Sequence, residues 1–97
     1  MEGRPPKRFL CEHQVFPDLD MNVINRMHGA ARKGLRVLYT FSNLDEKCMY
    51  SVIEGTGRRA VELFLSELGI PCDTVMEVEA QGQEGQVEDL RRQEKAA

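Results

Sequence analysis

Residues 47–71 constrain this chain more than any other stretch, because they read as strand, glycine turn, amphipathic helix and helix stop in unbroken succession. Val61, Phe64, Leu65 and Leu68 recur at i, i+3, i+4 and i+7, one apolar stripe on a helix that starts at Arg58. Thr56 is the expected N-cap, its hydroxyl accepting from a first-turn N–H. Gly69 suits the left-handed position after the helix, with Ile70 folding back on Leu65, and Pro71 cannot continue the helix. The preceding strand alternates Cys48, Tyr50 and Val52 with Met49, Ser51 and Ile53. Both sides are largely apolar, so each requires a cover.

The flanks extend the pattern. Residues 8–16 predict a strand in which Phe9, Cys11, His13 and Val15 alternate with Leu10, Glu12, Gln14 and Phe16, ended by Pro17. A helix follows from Asp18 or Asp20 to about Lys33, its buried stripe being Leu19, Val23, Met27, Ala30 and Ala31, with Ile24 alongside. Aspartate at its start and Arg32 and Lys33 at its end suit the helix dipole, and Gly34 is the expected terminator. Gly29 inside it costs about 1 kcal/mol relative to alanine. Residues 35–41 predict a strand with Val37, Tyr39 and Phe41 on one face, and 42–46 the turn of a hairpin. Residues 73–79 form the last expected strand.

The order βαββαβ predicts an α+β, ferredoxin-like fold: a four-stranded antiparallel sheet with two helices on one face. The domain spans 8–79. Residues 1–7 are expected to be a mobile tail, and 80–97 a flexible tail or marginal surface helix, since Val87 and Leu90 alone offset little ordering entropy. The uncovered sheet face is expected to carry Leu10, Glu12, Gln14, Tyr39, Phe41, Ser51, Ile53, Val75 and Glu77. That is a large exposed patch, to be covered by a second copy (a homodimer of the dimeric α/β-barrel type), a small ligand or a protein partner.

Composition removes several function classes. A net charge of −3 and an isoelectric point near 5.4 provide no basic field for nucleic acid or anionic lipid. Tryptophan is absent and only six residues are Phe or Tyr, too few for a base-stacking platform. No apolar run approaches the roughly 20 residues of a membrane span. Three widely spaced cysteines without a C-x-x-C argue against a disulfide framework or zinc knuckle and suggest the reducing cytoplasm. No signal peptide is legible at the N-terminus.

Cys11-Glu12-His13 followed by Phe16-Pro17, Val52-Ile53-Glu54 at the end of the hairpin strand, and Gly69-Ile70-Pro71 with 75–78 (VMEV) resemble a small bacterial family. Its members are ferredoxin-like domains of unknown function, one named as a nickel-binding protein. The similarity runs from about Arg8 to Glu79 and implies a homodimer packed sheet to sheet, with a bound metal as one expectation. Glu12 and Glu54 are the matched polar positions. The chain departs from the family pattern at His13, where an arginine is usual, and at Ser51, Ile53 and Phe64, where cysteine, an aromatic and histidine are common.

The residues themselves suggest two constellations. Cys11 and His13 share one strand face and offer sulfur and imidazole suited to nickel or zinc, with Glu12 and His28 as further candidate ligands. Against this stands the reading of Cys11 as a small buried hydrophobe. The second is a ligand pocket in the sheet cleft formed by Glu12, Gln14, Tyr39, Phe41, Ser51, Ile53, Glu54 and Glu77. A glutamate there could act as a base in a small isomerase or cofactor-free oxygenase. No serine–histidine–acid set identifies a nucleophile. The 55–59 segment (GTGRR) has the look of an anion cradle but reads as a plain turn and helix start.

Overall fold

The computed structural model describes residues 6–32 and 34–91. Along the chain run β1 (Lys7–His13), α1 (Met21–Gly29), β2 (Arg36–Asn43), β3 (Cys48–Gly55), α2 (Arg58–Glu67), β4 (Thr74–Glu77), β5 (Ala80–Gln83) and β6 (Gln86–Asp89). The first four strands form an antiparallel sheet in the order β2-β3-β1-β4, and β5 and β6 form a separate hairpin. The fold is therefore α+β, with two helices among the described residues. Among the described residues no helix is long and apolar enough to cross a membrane.

Strand register decides which side chains meet the helices. Phe9 pairs with Ile53 and Cys11 with Ser51, and directly paired residues of an antiparallel ladder point to the same face. That face is buried: Phe9, Cys11, Met49 and Ile53 join Met27 of α1 and Val61, Phe64 and Leu65 of α2 in one core. The opposite phase, Leu10 and Glu12 on β1 and Tyr50, Val52 and Glu54 on β3, faces away from the helices.

Two helix ends show how the chain is punctuated. Asp20 caps α1 through Oδ1, which accepts from the Val23 N–H at 2.9 Å. At the end of α2, Ile70 N–H donates to Leu65 O at 2.9 Å and Gly69 N–H to Ser66 O at 3.0 Å, with Gly69 at φ +71°. This is the expected Schellman closure, and it buries Ile70. Its consequence is positional: Pro71 and Cys72 are delivered to the end of β1.

Several expectations need correction. Helix α1 stops at Gly29 instead of near Lys33, which lies outside the described residues. Arg32 and Leu35 exchange backbone hydrogen bonds of 3.0 and 2.8 Å around a turn with Gly34 at φ +82°, and a chain turning there cannot extend the helix. Leu19 thus precedes the helix but is still buried, and Ala31 is exposed. Strand β1 ends at His13, so Val15 is exposed while Phe16 turns back into the core. The N-cap of α2 is Gly57, without a side-chain bond, in place of Thr56.

The expected C-terminal tail is the largest difference. Residues 80–89 form the β5–β6 hairpin, closed by Glu84 at φ 49° and Gly85 at φ 84°. Two consecutive positive φ values define a turn whose twist matches a two-residue hairpin. The Arg8 guanidinium anchors it to β1, donating to Gln81 Oε1 at 2.8 Å and lying 3.6 Å from Glu88. The remainder of the expected tails, residues 1–5 and 92–97, lies outside the described residues.

Candidate functional site

The sheet brings two different constellations together, one on each face. On the helix side, strand alternation puts Cys11 and His13 inward, and the β1–β3 register sets Ser51 opposite Cys11. His13, Ser51 and Cys11 are all 0% exposed. The His13 Nδ1 is 2.7 Å from Pro71 O, and its Nε2 is 2.9 Å from Ser51 Oγ. A carbonyl can only accept, so Nδ1 carries the proton and the Ser51 hydroxyl donates to Nε2. Two buried polar side chains are thereby satisfied, which a buried histidine and serine need to avoid an unpaired-group penalty of about 1–3 kcal/mol each.

The same network continues to the surface. Ser51 lies opposite Cys11 in the strand register, and Cys72 packs against the core that contains Cys11. Cys72 is half-buried, and its thiol donates to Thr74 O at 3.2 Å. Backbone bonds hold this segment against β1: Asp73 N–H donates to Glu12 O at 2.8 Å, and Gln14 N–H to Asp73 Oδ2 at 2.6 Å. The contact with Cys72, reinforced by burial, pushes the Cys11 thiol far up. The same contact moves Cys72 down, helped by backbone hydrogen bonds at Thr74 and Glu12 and opposed by partial burial and the Asp73 charge. Burial lowers His13 below its usual range, against the pull of Pro71 O and Asp73. Cys72 is thus a half-buried thiol moved below its usual range, next to a fully buried thiol moved above its own and an imidazole moved below its own.

On the other face, Leu10, Tyr39, Phe41, Val52, Met76 and Val78 line a groove of about 500 Å³, with residues 80–83 of β5 as its further wall. The Tyr39 and Phe41 rings lie nearly parallel, 14° apart with centroids at 6.3 Å. Phe41 is 62% and Met76 54% exposed, so this apolar surface is open. An irregularity in β2 creates it. Val37 pairs with Ile53, but Tyr39 pairs with Val52, so the strand shifts phase at Leu38 and turns Tyr39 and Phe41 outward while Val37 packs on the core.

No family model, curated protein or solved structure matches this chain.

The metal-ligand candidates are not assembled. Glu12 points to the face opposite Cys11 and His13, and His28 lies on exposed α1 with Nε2 3.2 Å from Thr40 Oγ1. Both ring nitrogens of His13 are already engaged. Among the described residues no three His, Cys, Asp or Glu side chains group as a metal site. These residues do not fit a nickel or zinc ion as placed.

The pocket candidates divide in the same way. Tyr39 and Phe41 line the groove. Glu12 and Glu54 share that face outside the groove, Glu54 accepting from Arg36 Nε at 3.1 Å. Ser51 and Ile53 are on the buried face, not the open one, and so is Val75, which pairs with Cys11. Glu77 pairs with Phe9 and sits 3.7 Å from Lys7 Nζ. Gln14 lies past the strand end, its amide 3.2 Å from Glu12 Oε1.

Sequence reasoning missed Val52 and Met76 in the groove, Cys72 beside Cys11, and the β5 wall. The available signals were Gly85 as a hairpin turn residue and the placement of Cys72 directly after the helix stop.

Proposed function

We propose that this chain is a small-ligand-binding module of ferredoxin-like architecture, its ligand a compact molecule with a planar apolar body seated in the open-face groove. One observation carries the reading: six apolar side chains surround about 500 Å³ of accessible space beside a polar hairpin edge. That volume falls within the roughly 300–1,000 Å³ of small-molecule sites. The architecture is supported by the element order through β4 and by the sheet order β2-β3-β1-β4, in which the two outer strands flank a central β3-β1 pair. The reading involves no metal, because His13 has no free ring nitrogen.

A second copy is the natural lid. Phe41, Tyr50 and Met76 remain exposed on this face, and a two-fold pairing of sheets would bury them together with the ligand. The test is titration with Nile red, a neutral planar probe, on wild type and Val52→Glu, with sedimentation of both. Saturable binding to wild type that weakens at least about tenfold in Val52→Glu, at unchanged unfolding midpoint, supports the groove, since the new carboxylate resists desolvation by an apolar ligand. Absence of saturable binding, or equal binding by both proteins, sinks it. A monomer that binds the probe would retain the groove and remove the second copy.

A further inference from the structure

Strand pairing makes the floor of the open-face groove one continuous row. Tyr39 pairs with Val52, Val52 with Leu10 and Leu10 with Met76, so four apolar side chains stand side by side across the whole sheet. Successive strand spacings give the row a length of about 14 Å. The rows on either side differ in character: one is Arg36, Glu54 and Arg8, the other Phe41, Tyr50, Glu12 and Thr74. Arg36 Nε is 3.1 Å from Glu54 Oε1 and Arg8 lies 3.6 Å from Glu88, so both guanidiniums already face carboxylates. Among the described residues no Asp, Glu, Lys or Arg lines the groove itself.

The β5 wall adds hydrogen-bonding capacity to this uncharged site. Gln81 and Gln83 both line the groove. The Arg8 guanidinium bonds the Gln81 side chain at 2.8 Å, and because a guanidinium can only donate, the carboxamide oxygen is the atom that faces it. The orientation of Gln81 is thereby fixed. Its Nε2 keeps two N–H donors, and no described residue accepts from them. An amide whose oxygen is held by a cation is polarised into a stronger donor. On the opposite wall the Tyr39 and Phe41 rings, 14° from parallel, offer a flat aromatic surface.

We propose that Gln81 determines which ring the groove accepts: its Nε2 donates to a carbonyl oxygen on the edge of a neutral, fused-ring ligand lying along the Tyr39–Val52–Leu10–Met76 row. This rests on the small-ligand reading above and adds the chemistry of the ligand's edge. A ring bearing a carboxylate is rejected, because it would shed water in a groove that offers no cation in return. A bare hydrocarbon is held by the floor alone and leaves the Gln81 donors to water. A ring carbonyl gains one neutral hydrogen bond, equivalent to about fivefold in affinity.

The experiment titrates the nitrogen-labelled full chain with coumarin, naphthalene and naphthoate, following backbone and carboxamide signals by NMR. The first two share a fused-ring shape and differ in the carbonyl, and the third adds a charge to the second. In wild type the Gln81 carboxamide signals are expected to move downfield with coumarin and not with naphthalene, and naphthoate to bind at least about tenfold more weakly than naphthalene. Gln81→Leu is expected to weaken coumarin about fivefold and to leave naphthalene within about twofold. Gln81→Glu keeps an oxygen for Arg8, and with it the wall, but has no N–H to give. It is expected to lose coumarin affinity at least as far as Gln81→Leu. Equal loss of coumarin and naphthalene in both variants would make Gln81 a support for the wall only and overturn the proposal. Unchanged coumarin affinity in Gln81→Glu, or naphthoate binding more tightly than naphthalene, overturns it too. In those cases binding of naphthalene and Nile red leaves the groove reading standing, whereas failure of every probe to bind removes both.

Discussion

The two faces of the sheet are built from alternate residues of the same strands, yet they obey different physics. Inward-facing Cys11, His13 and Ser51 are wholly buried, and both His13 ring nitrogens and the Ser51 hydroxyl have partners, so their chemistry is fixed by neighbours within the chain. Outward-facing Leu10, Tyr39, Val52 and Met76 line a groove open to solvent, so their chemistry depends on what arrives. Buried polar networks raise the cost of change, while an open apolar face lowers it and invites an occupant. Substitutions on one face should therefore register mainly as stability, and on the other as binding.

The sharpest way to break that contrast is His13→Ala. It leaves the Ser51 hydroxyl and Pro71 carbonyl unpaired and opens a cavity, and should cost about 4 kcal/mol in urea unfolding. A loss below about 1 kcal/mol would show that the network is not held as described.

Acid is the next lever. Burial depresses His13 below its ordinary value of 6.5, so the unfolded chain binds the proton more readily than the folded one. Stability is then complete above about pH 6.5 and declines as pH falls through the folded pKa, with Asp73 as the opposing charge facing the ring. The urea midpoint should drop between about pH 7 and pH 5.5, above the range where ordinary carboxylates titrate. In His13→Gln this slope should flatten; an unchanged slope would assign it to other groups.

On the open face, Met76→Asp should shift unfolding by no more than about 0.5 kcal/mol while abolishing Nile red binding, because Met76 is half-exposed and lines the groove. A large stability loss would mean that this face is packed in the folded chain.

The smallest effect belongs to the groove's wall. Glu84 holds a left-handed φ of 49° before Gly85, a position that asparagine tolerates better. Glu84→Asn should add roughly 0.5 kcal/mol, read as slower amide exchange in residues 80–89. No change in exchange would show that the hairpin's stability comes from Arg8 and not from its turn.

Much of the frame was legible beforehand. The α2 stripe, the Gly69–Ile70 closure, the Asp20 cap and the order of the first six elements all arise from local rules of period, capping and chirality. The faces of β3 were not legible, because both of its phases are apolar and a one-residue change of register exchanges them. Ser51 and Ile53 consequently belong to the core instead of the cleft. The β2 irregularity was equally hidden: nothing around Leu38 marks the extra residue that separates Val37 from Tyr39. The hairpin at 80–89 was read as a tail, since its glutamine, glycine and charge make almost no core and its anchor, Arg8, is seventy-three residues from Gln81.

The sequence by itself determined the order of the first six elements, the Asp20 cap and the Gly69–Ile70 closure of α2, because those depend on neighbours a few residues away. Only the tertiary structure decided that Pro71 and Ser51 meet His13, and that β5 walls a groove. These are contacts between segments distant in the chain, set by strand register and by how a helix end is delivered to the sheet. Spacing along a sequence encodes period, but parity between paired strands exists only once they have paired.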